Sequence, residues 1–180
     1  MDTKILKKEI SIDELLNYRD LSVLENCQNC NNYDKNYSCP SFEFEIIDFL
    51  KDYSKCILYG KKFYTDSELL EFKLSNEMYL QFKNELFNKY KKDVNEGLEK
   101  LEGIIKDSNA IFVGHCDKCE KCARLTGENC YYPMMAHYSL ESLGINKEKL
   151  LKEEFNEEII RPENHKMDEY LILLGAVLKK

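Results

Sequence analysis

Tryptophan is absent from this 180-residue chain, and proline and glycine are scarce, at three and seven residues. No continuous apolar stretch reaches membrane-spanning length, so no transmembrane helix and no membrane partner are expected. The opening residues, MDTKILKKEI, lack the apolar core and small-residue cleavage site of a secretory signal, which points to a cytoplasmic protein. Positive charge is in the minority: 26 basic against 33 acidic residues leave a formal charge of −7. Without a basic stripe to hold phosphates, no nucleic acid partner is expected, and the twelve tyrosines form no readable base-stacking platform. No G-x-G-x-x-G, Walker loop or G-x-S-x-G elbow appears, so nucleotide binding and serine hydrolysis have no motif behind them. The C-x3-C-x2-C arrangement of radical-SAM enzymes and any repeat of solenoid length are missing as well.

What is present is enough apolar material for a core, 43% of residues, and eight cysteines, which outnumber the glycines. The length suits a single domain over residues 1–180. In a reducing compartment, tightly spaced cysteines indicate metal binding or redox chemistry before a disulfide framework.

Pattern and capping signals place these cysteines in a scaffold. Ser11-Ile-Asp-Glu14 is a capping box at the head of a short helix expected to end before Cys27, and Ser41 is a candidate cap for a helix carrying Phe44, Ile47, Phe49 and Leu50. Cys56 to Tyr64 reads as a strand, with Leu70, Phe72 and Leu74 alternating as the second arm of a hairpin. Phe82, Leu86, Tyr90, Val94, Leu98, Leu101 and Ile105 recur every three or four residues, which predicts a long amphipathic scaffold helix over about 76–106, with a break near Gly97. Ala110 to Val113 reads as a short buried strand, Met134 to Leu143 as a helix ended by Gly144, and Tyr170 to Leu178 as a buried central strand. The fold class is therefore α+β (or α/β), a small central sheet flanked by helices, with two cysteine-rich loops near 27–39 and 116–130.

The second loop carries Cys116-x2-Cys119-x2-Cys122-x7-Cys130, with Pro133 close behind. Three thiolates within seven residues suit a cubane, because a short loop can curl round it and give one sulfur to each of three irons while a more distant cysteine reaches the fourth. Zinc usually draws its ligands as two separated pairs, so the spacing favours a 4Fe-4S cluster, with zinc as the alternative. The first loop carries Cys27-x2-Cys30-x8-Cys39-Pro40, one ligand short of four. Cys56 is a candidate for the missing ligand, and equally a candidate for an inert core cysteine. The Cys39-Pro40 step resembles the end of the ferredoxin run, whose proline-tagged cysteine serves the neighbouring cluster. An exchange is then conceivable, Cys39 joining Cys116, Cys119 and Cys122 while Cys130 joins Cys27 and Cys30. A three-cysteine cluster with one open iron is a further possibility. One or two clusters are compatible with the count.

The histidines have no spacing to rival this. His115 adjoins Cys116 as a candidate outer hydrogen-bond donor, whereas His137 and His165 read as structural or exposed residues. Glu153-Glu154 and Glu157-Glu158 read as solvated helix faces.

Taken together, Cys27-x2-Cys30-x2-Tyr33, Cys39-Pro40, the Cys116, Cys119, Cys122 run, and Cys130-x2-Pro133 leading to Ser139-x-Glu141-x2-Gly144-Ile145 resemble the DUF2284 group of predicted metal-binding proteins over nearly the whole chain. The resemblance implies a cysteine-bound metal cofactor on Cys27, Cys30, Cys39, Cys116, Cys119, Cys122 and Cys130, and does not extend to Cys56. The sequence departs from that pattern at Ser41, where a second proline commonly stands, and at Tyr131, where arginine is expected. Three functions follow: an electron-transfer protein with a redox protein partner, an enzyme using an open iron as Lewis acid, or a zinc-stabilised binding module. The two loops are expected to converge in space, with the strand at Ala110 in the same sheet as Cys56 to Tyr64.

Overall fold

The computed structural model describes residues 2–71, 75–160 and 167–180. A four-stranded antiparallel sheet forms the centre, built from β1 (Thr3–Ser11), β2 (Lys55–Tyr64), β3 (Ser108–Ile111) and β4 (Tyr170–Lys179) in the order β1-β2-β4-β3. The C-terminal run YLILLGAVL is an inner strand, as its uninterrupted apolar character requires when both faces are covered. Ile172, Leu174, Ala176 and Leu178 point to one face and Leu173 and Val177 to the other.

The second face is covered by α5 (Asn76–Ile104), through Tyr90, Val94 and Leu98. The helix is capped by Ser75, whose side chain accepts from the Met78 N–H. It runs unbroken through Gly97, where the expected interruption does not occur. There a Cβ would stand 2.6 Å from the Tyr59 ring, so the glycine lets the helix close on β2. The opposite face packs on α1 (Ile12–Leu16), α3 (Ile46–Lys51) and α6 (Lys147–Phe155), with Leu15, Leu50, Leu150 and Leu151 fully buried. Each such leucine contributes about 2 kcal/mol of transfer free energy.

Several local expectations are revised. The capping box at Ser11 forms, but a second helix, α2 (Leu21–Gln28), follows it and carries Cys27 in its last turn. Ser41 caps nothing: α3 begins at Ile46, and the Ser41 hydroxyl donates to Asp34 instead. Among the described residues no second hairpin arm joins β2, both edges of which are occupied, by β1 and β4. Leu70 lies in the short helix α4 (Ser67–Leu70), and Phe72 and Leu74 fall outside the described residues. Met134 to Leu143 forms only a 3-10 turn, Pro133–Met135, because the Phe112 N–H takes the Tyr138 carbonyl at 2.7 Å and pairs the segment alongside the end of β3. Ser139 and Ser142 then exchange backbone-to-hydroxyl bonds, and the chain turns at Gly144 with φ +74°. Glu157 is buried rather than solvated, bonded to both Lys4 and Lys62 at 2.7 Å. Glu154 pairs with Lys8 and with the Tyr18 hydroxyl.

Candidate metal centre

The first cysteine loop is folded back on itself by successive turns. Asp20 caps α2 at the Ser22 N–H, so the helix delivers Cys27 at its end. Cys30 N–H then bonds the Cys27 carbonyl at 3.0 Å, Asp34 N–H bonds the Pro40 carbonyl at 2.7 Å, and Cys39 N–H bonds the Asn36 carbonyl at 3.0 Å. This return places Cys39 with Cys27 and Cys30 around one cavity of about 200 Å³, whose remaining wall includes His115, Ser139, Glu141 and Ser142.

The second loop leaves β3 through buried Phe112 and Val113 and is gripped at its root by α5. Asn95 accepts from the Val113 N–H at 2.9 Å, and the buried Lys91 donates to the His115 carbonyl and to Asp117, both at 2.9 Å. Cys116, Cys119, Cys122 and Cys130 line a second, narrower cavity together with Asn36 and Tyr37 of the first loop.

The loops are therefore in contact, and their sheet geometry is not what joins them. β3 and β2 share a sheet as expected, but β4 stands between them. The junction is made by side chains. Asn36 holds the Ser38 N–H and hydroxyl with its Oδ1 and donates from Nδ2 to the Cys116 carbonyl at 2.8 Å. Ser38 Oγ accepts from the Cys116 N–H at 2.8 Å, so both backbone groups of Cys116 are satisfied by the other loop. Arg124 spans the same junction from the second loop, and Tyr37 donates to the Glu128 carbonyl at 2.7 Å. Sequence reading did not single out Asn36, Ser38, Arg124 or Lys91. Long-range hydrogen bonds leave no periodic signature.

None of the eight cysteines is paired in a disulfide. Burial pushes the Cys27 thiol up, and the neighbouring Cys39 and Cys30 push it further. Cys39 is raised by burial and by Cys30, against a hydrogen bond from Ser38 and the charge of Arg124; Cys116 is raised by burial, then by Asp117, Cys130 and Cys119, against the Lys118 N–H. Crowded sulfurs that discourage one another's ionisation in this way are suited to a bound cation, which reverses that penalty. Cys56 is placed elsewhere. It lies on β2 between Ile10 and Leu178, fully buried in the apolar core, and lines neither cavity; burial alone drives its thiol far above the ordinary range.

Among the described residues, no three side chains of His, Cys, Asp or Glu converge as ligands of a single ion. The cysteines stand instead round shared cavities, four about one and three about the other. His115 lines the three-cysteine cavity; burial and the Lys91 charge press its pKa down against a weaker pull from Asp117. His137 is a core residue, bonded through Nδ1 to the Ala110 carbonyl at 3.1 Å and stacked on Phe112, and His165 falls outside the described residues.

Fold and site together define a small α+β protein whose two cysteine-rich loops meet beside the scaffold helix. The chain belongs to DUF2284, a family of predicted metal-binding proteins, whose pattern matches residues 9–178. No curated protein matches it, and no solved structure does. Among the described residues, no helix is long and apolar enough to cross a membrane.

Proposed function

We propose that this metal-binding protein carries iron–sulfur clusters and passes electrons to or from a redox protein partner in the cytoplasm. The observation that carries the reading is the meeting of spacing and geometry: the cysteines of the ferredoxin-like run C-x2-C-x2-C-x7-C all line one cavity. In this reading Cys116, Cys119, Cys122 and Cys130 hold a 4Fe-4S cluster, and Cys27, Cys30 and Cys39 hold a second metal group. Cys56 is a packing residue. The donor set fits: thiolates are the ligands such clusters take. A cluster so held supplies one-electron transfer. The chain's own part is to fix the thiolates through Asn36, Ser38, Arg124 and Lys91, and to keep the site near the surface. Exposed Leu125, Tyr131, Tyr132 and Met134 flank Cys122 and Cys130 and give a partner an apolar face beside the cluster.

The test is metal and sulfide analysis of protein purified without oxygen. Iron and acid-labile sulfide in near-equal amounts, with partial loss of both in Cys122→Ser, are the expected results. Colourless protein with stoichiometric zinc, never exposed to air, would overturn the iron–sulfur reading in favour of a zinc-stabilised module.

A further inference from the structure

The cavity with three cysteines is the one that has both room and access. Cys27, Cys30 and Glu141 line its space of about 200 Å³ and also form a wall of a larger open hollow of about 480 Å³ that extends past Asn26 and Lys147. The two thiols thus stand where this cavity meets a cleft. No cysteine is left to complete the set, since Cys56 is sealed in the core and the other four surround the neighbouring cavity. Ser139 and Ser142 bond one another, and the Glu141 carboxylate holds Lys147. Of the ordinary ligand types on the wall, His115 remains.

We propose that Cys27, Cys30 and Cys39 bind a cluster through three of its irons, and that the fourth iron takes a small thiol entering through the Asn26–Lys147 hollow. The proposal rests on the iron–sulfur reading above. A thiol is the class indicated, because iron already bound to sulfide and thiolate favours a further soft donor. Binding is ligand exchange. With a cluster held by these cysteines, the incoming thiol would displace a solvent ligand from the fourth iron and release its own proton to solvent, with no electron transferred.

The experiment uses the full chain reconstituted anaerobically, cysteamine as probe, and paramagnetic resonance of the reduced protein alongside an iron count. Cysteamine should change the spectrum of one of two clusters saturably, and ethanolamine, its hydroxyl analogue, at least about tenfold more weakly. Cys39→Ser should remove about half of the iron together with the cysteamine response, leaving the other cluster's spectrum in place. Should that variant misfold by circular dichroism, Cys30→Ala, at an exposed position, carries the same expectation. His115→Ala should leave the response intact. A native protein blind to cysteamine that becomes sensitive in His115→Ala would make His115 the fourth ligand and overturn the thiol site, as would a response that survives Cys39→Ser. A full load of iron with no response in any variant overturns the thiol site alone, whereas protein without iron overturns the iron–sulfur reading itself and this proposal with it.

Discussion

Arg124 of the second cysteine loop donates from Nη1 to the Cys39 carbonyl of the first at 3.0 Å, and from Nη2 to the Ser41 carbonyl at 2.6 Å and to Asp34 at 2.5 Å. One guanidinium thereby fixes the backbone on either side of Pro40 from across the junction. Its position depends on the 3-10 turn Ala123–Thr126, which is closed by Gly127 at φ +73°. Ser41 takes part through both its carbonyl and its hydroxyl.

Arg124→Gln should therefore loosen the first loop although Arg124 lies in the second. Losing hydrogen bonds from a charged donor at a mostly buried position costs about 2 kcal/mol in stability. Arg124→Lys should recover little, because an ammonium cannot reach several carbonyls in the plane a guanidinium spans. Thermal unfolding and metal content of the three proteins check this. Unchanged metal content in Arg124→Gln would show that the clamp is dispensable.

Asn36→Asp isolates one strut. The substitution keeps an oxygen for the Ser38 N–H and hydroxyl but removes the amide that donates to the Cys116 carbonyl, and sets a carboxylate against it. The expected outcome is a perturbed metal spectrum and faster metal loss from the Cys116 to Cys130 site, with secondary structure intact by circular dichroism. Asn36→Asp protein that matches the native spectrum and retention would count against the strut.

Cys56→Ala should keep its full complement of metal. The thiol sits between Ile10 and Leu178 in the core, so its removal costs about 1 kcal/mol as a small cavity. Metal analysis decides the point: a loss comparable to that in Cys39→Ser would return Cys56 to the ligand set.

Stability should fall in acid partly through Glu157. Burial alone would raise its pKa, but hydrogen bonds and charges of Lys4 and Lys62 outweigh that and hold it below the usual 4.5. A carboxylate with a depressed folded pKa contributes stability that is present above 4.5 and is lost as pH falls through the lower folded value. At neutral pH Glu157→Gln leaves the buried Lys62 without its anion and costs about 3 kcal/mol. Denaturant titrations should show the gap between the two proteins narrowing below pH 4.5, and a gap that stays constant would assign the loss to packing instead.

How much of this was legible in the sequence varies by element. The scaffold helix, the inner strand at Tyr170 to Leu178 and the capping box at Ser11 follow from periodicity and local chemistry, which act over a few residues. β1 does not announce itself, because as an edge strand it buries only Leu6 and Ile10, four residues apart among lysines and glutamate. The helix expected over Met134 to Leu143 fails because its residues meet the end of β3 through a bridge at Ser139 and the core through a turn carrying Leu140 and Leu143, which composition cannot distinguish. The cysteines could be found from spacing, but their grouping into four and three depended on turns and struts such as Asn36 that connect residues 80 apart.

Lys91 tests whether the scaffold helix is only scaffold. No side chain of α5 lines either thiol cavity, so exposed positions such as Lys92 should tolerate alanine without loss of metal. Lys91 is different: its side chain is 6% exposed, and its ammonium ties the His115 carbonyl and the exposed Asp117 to the helix on either side of Cys116. Methionine keeps the apolar stem and removes the desolvation penalty of a buried ammonium, and because the Asp117 carboxylate left behind is exposed, no buried charge is stranded. The root of the second loop, however, loses its anchor. Lys91→Met should therefore unfold at the native temperature or slightly above it, yet surrender metal to a chelator about tenfold faster, which corresponds to one charge-assisted hydrogen bond of about 1.5 kcal/mol. Parallel measurement of unfolding and chelator release separates the two effects. Equal release rates in Lys91→Met and Lys92→Ala would make Lys91 a packing residue and leave the hold on Cys116 to Asn36 and Ser38.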